Sequence, residues 1–75
     1  MDYSKLKGRI VEKVGSVRKL SELINLSERS LSLKLNNKLS FKQTEIVNIC
    51  NVLEINSDDI GSYFFTKEVP FNGIN

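Results

Sequence analysis

Apolar residues recur at a helical period of about 3.6 from Leu6 to Phe65, and strand-like alternation hardly appears before the last ten residues. Leu6, Ile10 and Val14 share one face of a first helix, which Ser4 can cap and Gly15 can stop. Gly8 inside it costs up to about 1 kcal/mol against alanine, so a close helix contact is expected there. Ser16 can cap a second helix with Val17, Leu20 and Ile24 inward, ending at Asn25, a residue tolerant of left-handed backbone. Ser27 caps a third that reaches about Asn36, and Asn37 offers a second left-handed stop. Ser40 and Gln43 fit the S-x-x-Q capping box of a fourth, with Ile46, Ile49, Cys50 and Leu53 inward. Ser57 caps a fifth, with Asp58 and Asp59 in its first turn, where the helix dipole favours negative charge. After "SYFF" the period dissolves. "TKEVPFNGIN" holds the only proline and an Asn-Gly pair, which reads as a short strand or an arm. The expectation is an all-α, compact five-helix domain over residues 1–65, followed by a C-terminal arm over 66–75, flexible or extended.

The third helix does not look like ordinary core. In "NLSERSLSLKLNNK", Asn25 to Lys38, only Leu31 and Leu35 have the four-residue spacing of a buried stripe, and the polar remainder needs a purpose. The link from Ile24 to Ser27 is about three residues, which suits two helices crossing steeply. Small Ser21 lets the third helix approach, Asn25 supplies the turn, and Leu26, Leu31 and Leu35 fix it to the core. That is the arrangement of a helix-turn-helix. Its outer face, Glu28, Arg29, Ser32, Leu33 and Asn36, is then free to meet base edges in a major groove.

Composition narrows the chemistry. At 75 residues and 8.5 kDa, with 40 % hydrophobic and 27 % charged residues, the chain fits one soluble globular domain. A lone Cys50 and no histidine remove an internal disulfide, the usual zinc sites and the usual general base. No enzyme activity, cofactor, metal or small-molecule ligand is therefore expected. Cys50 itself reads as a small core hydrophobe. No apolar run approaches the roughly 18 residues that span a bilayer, and the N-terminus lacks a secretory h-region, which points to a cytoplasmic protein without membrane partners. Net charge is only +2, but residues 1–42 carry ten basic side chains against four acidic ones, and residues 43–75 carry one against five. The first half looks built to meet a polyanion.

With these residues in view, positions 4–65 resemble the phage repressor and Cro-like helix-turn-helix domains, the lambda-repressor-like family. The resemblance rests on Ser21, Asn25, Ser27, the Asn36-Asn37-Lys38 corner and the run "LSLKLNNKLSF". Asparagine replaces the family's glycine at both turns, and Leu33 stands where a polar base reader is usual. The resemblance implies that Ser16, Val17 and Arg18 meet a phosphate, and that Ser27, Asn37 and Lys38 hold the backbone at the other end. Arg29, Ser32, Leu33 and Asn36 would face bases, while Glu28 would accept from a cytosine amine or repel a wrong register. Tyr63, Phe64, Phe65, Val69 and Phe71 are the candidates for a homodimer, formed in part on double-stranded DNA. The implied function is sequence-specific duplex binding by a phage or prophage transcriptional regulator, in a bacterial cell or phage-infected host. The alternative is a protein-binding helical adaptor of antirepressor or antitoxin-like kind, which Leu33 and the aromatic C-terminus favour.

Overall fold

In the computed structural model, which describes residues 2–65, α1 spans Ser4–Lys13, α2 Val17–Leu23, α3 Glu28–Leu35, α4 Gln43–Leu53 and α5 Ile60–Phe64. A single 3-10 turn, Ser57–Asp59, leads into α5. The five helices are those that the apolar period marks out, and the described residues contain no strand. No helix among them is long and apolar enough to cross a membrane. The expected arm over 66–75 lies outside the described residues, as do Val69 and Phe71.

Two helix starts follow the sequence reading. Ser16 Oγ accepts the Lys19 N–H at 3.1 Å, and Ser27 Oγ accepts the Ser30 N–H at 3.0 Å, each satisfying an orphan donor of the first turn. Three starts differ. Ser4 is already helical, and Asp2 Oδ1 serves it instead, accepting from Ser4 N–H at 2.8 Å and Ser4 Oγ at 2.6 Å. A charged acceptor makes the stronger bond, and the two Ser4 donors hold the Asp2 carboxyl below its ordinary value. The Ser40–Gln43 capping box does not form. The Ser40 carbonyl is taken by Lys34 Nζ at 3.0 Å and Phe41 by an aromatic stack, so α4 begins after Lys42, whose N–H donates to Glu45 Oε1 at 2.8 Å. Ser57 does not cap the last helix either. It sits inside the 3-10 turn, which closes through Asp59 N–H to the Asn56 carbonyl at 2.9 Å.

Helix ends use left-handed backbone. Gly15 (φ +102°), Asn25 (62°) and Asn37 (65°) stop α1, α2 and α3 where expected, and Glu54 (56°) ends α4 the same way, a position with no sequence signal for it. Gly8 has a different role from the one its position suggests. It is exposed, and a Cβ there would meet no atom within 4 Å, so no close helix contact requires it.

The core collects the inward residues of every helix: Leu6 and Ile10 from α1, Leu20 from α2, Leu31 and Leu35 from α3, Ile49, Cys50 and Leu53 from α4, and Phe64 from α5, with Ile24 and Ile55 beside them. Burial pushes the Cys50 thiol up, in keeping with a packed rather than reactive sulfur. α1 rests on α2, α4 and α5, and α2 rests on α3. Buried Ser21 donates its hydroxyl to the Arg18 carbonyl at 2.6 Å, which satisfies it without side-chain bulk on the inward face of α2. Two edge-to-face contacts, Tyr3–Phe41 and Phe41–Phe64, each 5.4 Å between centroids, tie the chain start and the α3–α4 link to α5.

Candidate functional site

The α2–α3 unit is closed by backbone hydrogen bonds at its two turns. The turn between the helices is closed by Leu26 N–H to the Ser21 carbonyl at 2.9 Å, and the corner after α3 by Lys38 N–H to the Leu33 carbonyl at 2.8 Å. Of the residues expected to face bases, Glu28, Arg29 and Asn36 are exposed, and Ser32 and Leu33 are half-buried. Of those expected at the backbone, Ser16, Arg18, Ser27, Asn37 and Lys38 are exposed and Val17 is half-buried. Arg18 Nε lies 3.7 Å from Glu22 Oε2, one turn along the exposed side of α2.

Part of the basic first half is engaged by other elements of the fold. Arg9 donates Nε to the Leu53 carbonyl at 3.0 Å and Nη2 to the Glu54 carbonyl at 3.2 Å, a cation on the C-terminal end of α4 where the dipole favours it. Lys13 Nζ meets Glu54 Oε1 at 3.0 Å, which lowers the Glu54 pKa. Lys5 Nζ donates to Ser62 Oγ at 3.0 Å and lies 4.6 Å from the Tyr63 ring centre. Three of the four basic residues of α1, Lys5, Arg9 and Lys13, thus serve α4 and α5. On the exposed side of α2 and α3, three cations (Arg18, Lys19, Arg29) stand against two carboxylates (Glu22, Glu28).

Lys34 is the residue whose place the sequence reading missed. Counted there only in the tally of ten basic side chains, it is 7 % exposed, with Nζ 3.0 Å from Glu45 Oε1. Burial alone would raise the Glu45 carboxyl; the Lys42 N–H and the Lys34 ammonium outweigh it and hold the carboxyl below its ordinary value. The available signal was spacing, since Lys34 falls at i+3 from Leu31 and next to Leu35, on the inward face of α3.

The aromatic candidates for dimerisation divide. Phe64 is core at 2 % exposure, Tyr63 is half-buried beneath Lys5, and Phe65 stands 58 % exposed.

Residues 1–67 match the model of the family described as "Protein of unknown function (DUF739)". No curated protein matches significantly. Among solved structures, the modulator of repression (MOR) of the temperate bacteriophage TP901-1 from Lactococcus lactis, a solution structure, is 48 % identical and superimposes with a TM-score of 0.77. That match covers 87 % of this chain and 88 % of the other. The expected kinship with phage regulators holds at that level.

Proposed function

The chain belongs to the DUF739 family, and from that premise and its likeness to a phage modulator of repression we propose that it is a phage regulatory protein that tunes repression by docking its α2–α3 face on a protein partner. The observation that carries this reading is the charge of that face. Surfaces that bind duplex carry a strong positive excess, because affinity comes from neutralising phosphates and releasing counterions. Here the exposed side chains of α2 and α3 include three cations and two carboxylates, with Leu33 half-buried on α3, and Lys5, Arg9 and Lys13 of α1 are engaged elsewhere. An apolar centre inside a ring of mixed charge is the anatomy of a protein–protein contact. Leu33 is the apolar anchor, Arg29 offers its planar fork to a carboxylate, and Glu28 sets register against a basic residue of the partner.

The second reading, sequence-specific duplex binding, is favoured by Lys38 and Lys42, exposed beyond the end of α3. In it Arg29, Ser32, Leu33 and Asn36 face bases, Ser16, Val17, Arg18, Ser27, Asn37 and Lys38 hold the backbone, and a homodimer covers two half-sites.

Calorimetric titration of the full chain with the repressor protein of the same phage, beside gel shifts on that phage's regulatory DNA and on random duplex, separates the two. Docking on protein predicts a complex that Leu33→Asp weakens at least tenfold, about 1.4 kcal/mol. A footprint on the regulatory DNA, with a log–log salt slope of about −0.9 for each of three to five phosphates and no complex with the repressor, would overturn it.

A further inference from the structure

The inward face of α3 carries Leu31 and Leu35 and, beside them, a lysine: Lys34 is buried with them, 7 % exposed. An aliphatic residue there would extend the core. Taking an ammonium and a carboxylate out of water costs so much that an apolar pair of similar volume often leaves a fold as stable or more so, whereas removing one partner alone is costly. Stability therefore does not account for Lys34 and Glu45, but their bonds do. Lys34 Nζ donates to the Ser40 carbonyl in the α3–α4 link and lies 3.0 Å from Glu45 Oε1 on the first turn of α4, and that same oxygen accepts the Lys42 N–H at the helix start. At the other end of the link, Lys38 and Leu39 donate their N–H groups to the Leu33 carbonyl at 2.8 and 3.3 Å. One end of the link thus hangs on Leu33 and the other on the ion pair, while α3 itself packs chiefly against α2.

We infer that Lys34 and Glu45 are positioning residues, which set the last turn of α3, and with it Leu33 and Asn36, at a fixed angle to α4. The inference rests on the docking reading only for what that turn presents to a partner. Leu33 is the anchor of that reading, and its carbonyl holds the corner, so a corner that shifts takes the anchor with it. Charge-assisted hydrogen bonds impose short distances and near-linear angles, which hold the link in one geometry. Apolar side chains at 34 and 45 would keep the burial and lose the direction, because the hydrophobic effect is non-directional. The Ser40 carbonyl and the Lys42 N–H, both on exposed residues, would then turn to water.

Two variants of the full chain separate positioning from stability. Lys34→Met with Glu45→Met keeps the volume and removes the polar bonds of the pair, whereas Glu45→Gln is the conservative change that keeps the hydrogen bonds and removes the charge. Urea melts are expected to show the double variant as stable as wild type and Glu45→Gln less stable. Docking on the repressor should run the other way, about tenfold weaker in the folded double variant and within about threefold of wild type in Glu45→Gln. Residual dipolar couplings of backbone N–H groups in the free chain should show residues 33–42 reoriented against α4 in the double variant and unmoved in Glu45→Gln. Affinity that followed stability through the set, or a double variant clearly less stable than wild type, would overturn the inference, since the pair would then only hold the fold together. So would unchanged couplings in the double variant. Should the wild type not dock on the repressor at all, the docking reading falls, and the couplings alone decide for or against the positioning.

Discussion

Replacing Glu45 by glutamine probes the least expected interaction in the fold. The glutamine oxygen can still accept from Lys42 N–H and from Lys34 Nζ, which the carboxylate meets at 2.8 and 3.0 Å, so geometry survives and only the charge is removed. Deleting one partner of a buried ion pair outright costs about 3–5 kcal/mol, because the other charge is left unpaired. Downgrading a charged hydrogen bond to a neutral one costs about 1 kcal/mol. With side-chain exposures of 8 % for Lys34 and 12 % for Glu45, the substitution falls between these limits, at about 2 kcal/mol. In a domain of this size that lowers Tm by about 8–16 °C and removes a large share of a total near 5 kcal/mol. The effect must also depend on pH. Glu45 is depressed in the folded chain, so its contribution is complete above the unfolded value of 4.5 and is lost as pH falls through the lower folded value. Urea melts of the wild type and Glu45→Gln should differ at about pH 7 and converge in acid. A difference below about 0.5 kcal/mol at neutral pH, or curves that stay parallel into acid, would mean the pair is screened as a surface contact.

Gly8→Ala should stabilise the fold by about 0.5–1 kcal/mol in the same melts, since the helical site is open and only the entropy of glycine is removed. Asn25→Ala should cost about 1–2 kcal/mol because φ is 62° there, whereas Asn25→Gly should be neutral or better. In titrations with the protein partner, Arg29→Ala should weaken docking by about 1–3 kcal/mol and Lys38→Ala, outside the proposed anchor, by less than about 0.5 kcal/mol. Equal losses for the two would place the contact nearer the α3–α4 corner than the centre of α3.

The helices were legible because their inward residues are aliphatic and regularly spaced; Leu6 and Ile10, Leu31 and Leu35, and Ile49 and Leu53 all end in the core. Their starts were legible only where a hydroxyl was the best acceptor within reach. At Ser16 and Ser27 nothing competed. At Ser4 a nearby aspartate did, and at Ser40 the tertiary demands of Lys34 and Phe41 came first, moving the cap of α4 to Lys42. Local rules weigh acceptors by spacing, and cannot see that a carbonyl two residues before a helix is needed by a lysine from another one. Gly8 failed differently, because glycine in a helix signals a close approach only if something approaches.

The candidate site was legible in its positions and not in its charge. The sequence reading placed Arg29, Leu33 and Asn36 together on one side of α3, and they remain exposed or half-buried there. Part of the lopsided charge, however, is met within the fold, although Lys34 alone of the ten basic residues in the first half is buried. Arg9 and Lys13 on α1 reach the end of α4, Lys5 reaches α5, and Lys34 reaches Glu45, so four of the ten cations are held by the second half, two of them, Lys13 and Lys34, by carboxylates. Apart from Lys34 and Glu45, partners of this kind lie tens of residues apart in sequence, and no short window along the chain can pair them. Once they are paired, the polyanion signature shrinks to a few cations, some of them matched by neighbouring carboxylates. In the proposed reading Leu33 is the centre of a protein contact.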